Sequence, residues 1–151
     1  MDWRVLTALQ TVKIGRKLWI VREPMVYNTP NGRFTVPAGY LTDHASVPRA
    51  FTAIVPPVQS CLAEASILHD WFYSKDSRDV PREFADLCLR ELTIAKGGSK
   101  SLGYTAWSAV RMGGGSLYNK EFYKEKIPRG AYAEYKTCDP ELLKLIFKIG
   151  V

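Results

Sequence analysis

The sequence predicts a single α+β domain, with an N-terminal antiparallel β-ribbon or small sheet packed on three main helices and a C-terminal extension. Two observations lead there. Two strand-like runs flank the turn signal Thr29-Pro30-Asn31-Gly32. From Ser60 to Met112 only helical patterns follow. A sheet first and helices afterwards argue for α+β and against alternating βαβ units. The domain is expected over residues 1–115 and the extension over residues 116–151.

Lys17-Leu18-Trp19-Ile20-Val21-Arg22 reads as a strand, and Met25-Val26-Tyr27 continues it after Pro24. Asn-Gly tolerates positive φ, so the turn reverses the chain into a second strand, Arg33-Phe34-Thr35-Val36. Pro37-Ala38-Gly39-Tyr40 punctuates its end, and a loop follows. Pro56-Pro57 breaks the chain ahead of a first helix, with Ser60 as its N-cap, that runs to about Ser74. Helical spacing puts Ile67, Leu68, Trp71 and Phe72 on its apolar side, while Ser66, His69, Asp70 and Tyr73 share the other. After the polar turn Lys75-Asp76-Ser77-Arg78, Asp79 can cap a second helix and Pro81 fits its first turn. That helix ends at Gly97-Gly98. A third, about Ser101 to Met112, stops at Gly113-Gly114-Gly115, and Asp139-Pro140-Glu141 opens a short last helix, Leu142 to Lys148.

A chain of 151 residues is one domain by size and long enough to bury a core. Its hydrophobic share of 46% and charged share of 24% fit a globular protein. No apolar run approaches the ~20 residues of a membrane helix. Met1-Asp2-Trp3-Arg4 lacks the layout of a signal peptide, so synthesis in the cytoplasm is expected. Cys61, Cys88 and Cys138 form no Cys-x-x-Cys pair, which points to buried free thiols. The net charge is +6, and residues 1–37 hold six Lys/Arg against Asp2 and Glu23. A basic edge of this kind blunts strand pairing, and it also suits a lipid or other anionic surface. Trp3, Trp19, Tyr27 and Phe34 lie near basic residues as in single-strand binders, but strand-core packing accounts for them better, so nucleic acid is not expected as a partner.

Both histidines stand beside an aspartate, in Asp43-His44 and in His69-Asp70. A carboxylate partner fixes a histidine's tautomer and raises its basicity, which is what a general base near neutral pH needs. The same pairs could be hydrogen-bond pieces that pin the Thr42–Pro48 loop to the first helix, and Asp43 could form an Asx-turn. In either reading Asp43, His69 and Asp70 are expected to converge, because buried polar groups must satisfy one another. Ser46 has no Gly-x-Ser-x-Gly elbow and reads as a turn hydroxyl. Gly113-Gly114-Gly115 lacks the Gly-Lys-Ser/Thr ending of a phosphate loop.

Val36-Pro37-Ala38-Gly39-Tyr40, Thr42-Asp43-His44-Ala45-Ser46-Val47-Pro48, Ala65 with His69-Asp70-Trp71-Phe72-Tyr73, and Arg82-Glu83-Phe84-Ala85-Asp86 occur in that order. Together they resemble a bacteriophage and prophage family, the domain-of-unknown-function family numbered thirteen fifty-three, over roughly residues 17–112. That resemblance implies phage origin and no established activity. It favours an accessory or virion-associated protein that binds other phage structural proteins, made in the host cytoplasm and carried in the virion.

More narrowly, His69-Asp70-x-x-Tyr73 with Asp86 on a returning helix resembles the core of secreted and parvoviral phospholipases of the A-two type. The carry-over implies a calcium-dependent hydrolase. His69 would be the general base, Asp70 a calcium ligand, Asp86 the residue that orients His69, and Tyr73 a hydrogen-bond donor to it. Asp43 is the further carboxylate offered to a metal, and carboxylates suit calcium better than softer metals. Those enzymes carry a glycine-rich calcium loop where this chain has Val55-Pro56-Pro57-Val58-Gln59. Asp86 is expected to face solvent, opposite Phe84, Leu87, Cys88 and Ala95.

Beyond Gly115, Tyr118, Phe122, Tyr123, Tyr132 and Tyr135 stand among Lys120, Lys124, Lys126, Arg129 and Lys136 without a strict period. Tyrosine is enriched at interfaces, so this extension is read as a partner-binding element or as a tail folded back on its own domain.

Overall fold

A computed structural model describes residues 2–15, 18–42, 60–73 and 80–113. Six short strands precede three helices: β1 (Arg4–Val5), β2 (Thr11–Gly15), β3 (Leu18–Val21), β4 (Met25–Thr29), β5 (Gly32–Val36), β6 (Leu41–Thr42), α1 (Ser60–Tyr73), α2 (Arg82–Ala95) and α3 (Lys100–Gly113). The α+β class is the one the sequence predicts.

The strands form two antiparallel three-stranded sheets, ordered β1-β4-β5 and β2-β3-β6. This corrects the reading of one strand running across Pro24. At Arg22-Glu23-Pro24 the chain leaves the second sheet, where β3 is central, and enters the first, where β4 is central. Proline has no N–H to give to a ladder, so it belongs at such a switch. In β4 the side chains alternate: Met25, Tyr27 and Thr29 are wholly buried, while Val26 and Asn28 are half-buried. The hairpin turns through Pro30-Asn31, with Thr29 paired to Gly32. Thr29 Oγ1 accepts from the Asn31 amide and donates to the Gly32 carbonyl. Gly32, at φ 125°, takes the conformation that other residues avoid.

α1 is the buried helix of the domain. Leu62, Ala65, Ile67, Leu68 and Phe72 enter the core with Val21, Met25, Tyr27 and Val36 from the strands and Ala85, Cys88, Leu89, Leu92 and Ala106 from α2 and α3. Phe34 stacks edge-on against Phe72 at 5.0 Å, Tyr40 against Trp71 at 5.1 Å, and the Tyr27 hydroxyl donates to the Glu64 carbonyl at 2.7 Å. Trp3, Tyr27 and Phe34 thus take the core-packing role expected of them. Sheet and α2 cover α1 from two directions, so its polar side is buried as well. Ser66, His69 and Tyr73 are each at most 5% exposed.

α2 begins after Pro81, which holds the N-cap position without a side-chain cap; Asp79, the expected cap, lies outside the described residues. It ends as expected at Gly97-Gly98. The Gly97 amide bonds the Ile94 carbonyl and the Gly98 amide bonds the Thr93 carbonyl, with Gly97 at φ 108°. This is the Schellman closure, which needs a left-handed residue at that point. Ser99 caps α3 through the Leu102 amide at 3.0 Å. Gly103 lets α3 approach α2 closely: a Cβ there would stand 2.8 Å from Ile94 Cγ1 and 3.0 Å from the Arg90 carbonyl.

Cys88 is buried and free, and burial pushes its thiol pKa well up. Cys61 is also free but only half-buried, short of the full burial expected, and Cys138 lies outside the described residues. Among the described residues no helix is long and apolar enough to cross a membrane. The 116–151 extension, the proposed helix at 142–148, and His44 and Ser46 also lie outside the described residues.

Candidate active site

The facing surfaces of α1, α2 and the end of α3 bring His69, Asp70, Tyr73, Arg82, Asp86 and Arg111 together. Asp86 is the hub. Its carboxylate is completely buried, and the Oδ1 atom accepts from His69 Nε2 at 2.8 Å and from the Tyr73 hydroxyl at 2.5 Å. The Oδ2 atom accepts from Arg111 Nη1 at 2.8 Å and lies 3.7 Å from Arg82 Nε. A buried carboxylate without such partners would be strongly destabilising.

This position of Asp86 corrects the expectation of a solvent-facing side chain. Helical periodicity alone gives α2 one apolar side. The helix lies between α1 and α3 and is covered on both. Ala85, Asp86, Cys88, Leu89, Leu92 and Thr93 are all buried, whereas Ala95, assigned to the apolar side, is exposed.

The spacing of α1 explains the rest. His69 and Tyr73, four residues apart, share a face and their rings lie 4.2 Å apart. Both reach the same Asp86 oxygen. Burial works against a charge on His69, but Asp70 and Asp86 outweigh it and hold its pKa above the ordinary 6.5. Burial likewise opposes ionisation of Asp86, yet His69, Tyr73 and Arg111 bring its pKa below the ordinary 3.8. Burial and the Asp86 charge push the Tyr73 hydroxyl up, so it stays protonated and donates.

An ionised Asp86 fixes the tautomer. Neutral His69 carries its proton on Nε2, which leaves the lone pair on Nδ1. Nδ1 lies 3.5 Å from Asp70 Oδ1. Two acceptors side by side accommodate a proton donor between them: the imidazolium's own proton, or a hydroxyl of water or substrate. Asp70 is one-quarter exposed at its side chain, so this side of the ring is nearer solvent than the Asp86 side.

Four of the five expected site residues, His69, Asp70, Tyr73 and Asp86, therefore meet. The fifth, Asp43, lies outside the described residues, and with it the expected convergence of its loop. Calcium takes six to eight oxygen ligands. Among the described residues no group of three or more His, Cys, Asp or Glu could hold a metal. Both oxygens of Asp86 are taken by nitrogen and hydroxyl donors, and Asp70 lies against the His69 ring. The described residues do not make a calcium site.

Two residues that the sequence reading missed complete the cluster. Arg82 sits in the Arg-x-x-Ala-Asp motif one turn before Asp86, a spacing that signals an i,i+4 ion pair. Its Nη2 also donates to the Val110 and Arg111 carbonyls at 2.9 Å each, closing the end of α3. Arg111 reaches Asp86 across 25 positions of sequence, and nothing local announces that contact.

Comparison with known proteins places this cluster in a known but functionally open family. The family described as "Protein of unknown function (DUF1353)" matches residues 19–110. That span contains every described site residue except Arg111. The chain is also similar to "Uncharacterized protein y4jT" of Sinorhizobium fredii (strain NBRC 101917 / NGR234), with 34% identity over 74 residues. The similarity covers 46% of this chain and 22% of that relative's length. No solved structure matches the chain.

Proposed function

We propose that this chain, which belongs to the DUF1353 family of proteins of unknown function, is a hydrolase that uses His69 to activate water. One observation carries the reading: a completely buried Asp86 accepts from both His69 Nε2 and the Tyr73 hydroxyl through one oxygen. In that arrangement Nδ1 of neutral His69 is the atom that can take a proton. Water bound there would lose a proton to Nδ1 as its oxygen attacks an electrophilic carbonyl carbon. The resulting imidazolium would be stabilised by Asp86 on one side and Asp70 on the other, and would return the proton to the leaving alcohol. Carboxylic esters are the substrate class, with a phospholipid ester as the first to test because of the resemblance of the His-Asp core.

The second reading is an accessory or virion-associated bacteriophage protein that acts by binding other particle proteins. It draws on the tyrosine- and lysine-rich residues 116–137 and does not need the cluster.

The test is turnover of a soluble ester and of phospholipid vesicles, with calcium and with a chelator, by wild type and by His69→Gln. A positioned general base contributes roughly 10²- to 10⁴-fold. The expected result is wild-type turnover that falls by that factor in His69→Gln. No turnover of either substrate by folded wild type would overturn the hydrolase and leave the binding reading.

A further inference from the structure

We infer that Arg111 and Arg82 are positioning residues that grip the second oxygen of Asp86 and thereby aim the first at His69. The inference extends the reading of His69 as a base, but it stands on geometry and its test requires no turnover.

A carboxylate can turn about its last bond, and an Asp side chain has few natural constraints there. To accept from His69 and Tyr73 at once, Oδ1 must stay in one place. The carboxylate is held from both ends. His69 and Tyr73 of α1 contact Oδ1, while Arg111 of α3 and Arg82 of α2 contact Oδ2. The two arginines are themselves fixed. Arg82 donates to two carbonyls at the end of α3 and lies 3.4 Å from the Tyr73 hydroxyl. The second terminal nitrogen of Arg111 stands 3.8 Å from Glu83. Planar guanidinium groups, always charged, suit this double task better than an ammonium.

The arrangement also separates labour. Neither arginine contacts His69 in the described interactions; Arg111 acts on it through Asp86, and Arg82 through Asp86 and Tyr73. The grip comes from the C-terminal turn of α3, so the docking of that turn and the orientation of His69 are one structural event. Any partner or segment that displaced the end of α3 would loosen the histidine without touching it.

The readout is the proton on His69 Nε2, followed by nitrogen-edited NMR; the chain has two histidines, and His44→Gln assigns the signals. A buried N–H donating to a carboxylate exchanges slowly and resonates far downfield. Arg111→Gln removes the charge from Oδ2 and keeps a side chain of similar reach. The expected result is about tenfold faster exchange, or loss of the signal, the scale of losing a charge-assisted hydrogen bond. Glu83→Gln, which alters only the exposed contact of Arg111, should leave the signal unchanged, and Arg111→Lys should restore part of it. An unchanged Nε2 proton in folded Arg111→Gln would overturn the inference. Should that variant not fold, Arg82→Gln reads the other half of the grip with the same two outcomes. Absence of ester turnover alongside the expected NMR changes would remove the hydrolase and leave the positioning role standing.

Discussion

At Asp86 a completely buried carboxylate meets three hydrogen-bond donors and one further guanidinium 3.7 Å away, drawn from three helices. Replacing the whole set with apolar residues could be nearly neutral for stability, but removing one member strands the others. Asp86→Ala would leave two arginines and a histidine facing a void, and should cost ~3–5 kcal/mol, measured by urea denaturation at neutral pH. The pH dependence follows from the sign of the shift. The folded pKa of Asp86 is depressed, so its contribution is full above the unfolded value near 3.8 and is lost as pH falls through the lower folded value. The Asp86→Ala variant should lack that acid-side loss. Tyr73→Phe should be far milder in stability, because Asp86 keeps three of its partners. It removes one donor to Oδ1 and should slow ester turnover while leaving the protein folded, as read by steady-state rates beside near-UV circular dichroism.

Helices α2 and α3 show what an element needs in order to place a site. The buried glycine at 103 lets the two axes draw close enough for Arg111 to span to Asp86. Gly103→Val would drive its side chain into Ile94 and the Arg90 carbonyl, which belongs to a helix backbone and cannot yield cheaply. Overpacking of this kind costs about 1–3 kcal/mol. Because the shift occurs on the same helix as Arg111, Gly103→Val should also weaken the His69 Nε2 proton signal. Loss of stability with that signal intact would separate packing from positioning.

The turn at Thr29–Gly32 and the three helices were readable because proline, asparagine and glycine carry local backbone preferences. Strands β1 and β6, two residues each, are too short to display a period. They were invisible, and with them the division into two sheets. His69, Asp70 and Tyr73 could be grouped because helical spacing fixes who shares a face. The resemblance pairs Asp86 with His69, and the two side chains are in contact; periodicity places Asp86 on the wrong side, because a helix covered on two sides has no single apolar face. Arg111 could not be found at all: its contact depends on the packing of α3 against α2.

For the molecule as a whole, a small α+β scaffold wraps its sheets over α1 and buries a polar cluster at the helix junction. In the proposed hydrolase this cluster holds His69 as the base. The most direct test is the pH dependence of kcat/KM for ester hydrolysis, which reports the ionisation of the free protein's essential base. Two neighbouring carboxylates hold the His69 pKa above 6.5, so the base is available only once the pH has risen past that raised value. The expected rate climbs with pH through one ionisation displaced above 6.5, and the His69→Gln variant lacks that limb. A profile that is flat between about pH 5 and 9, or an identical limb in His69→Gln, would contradict it.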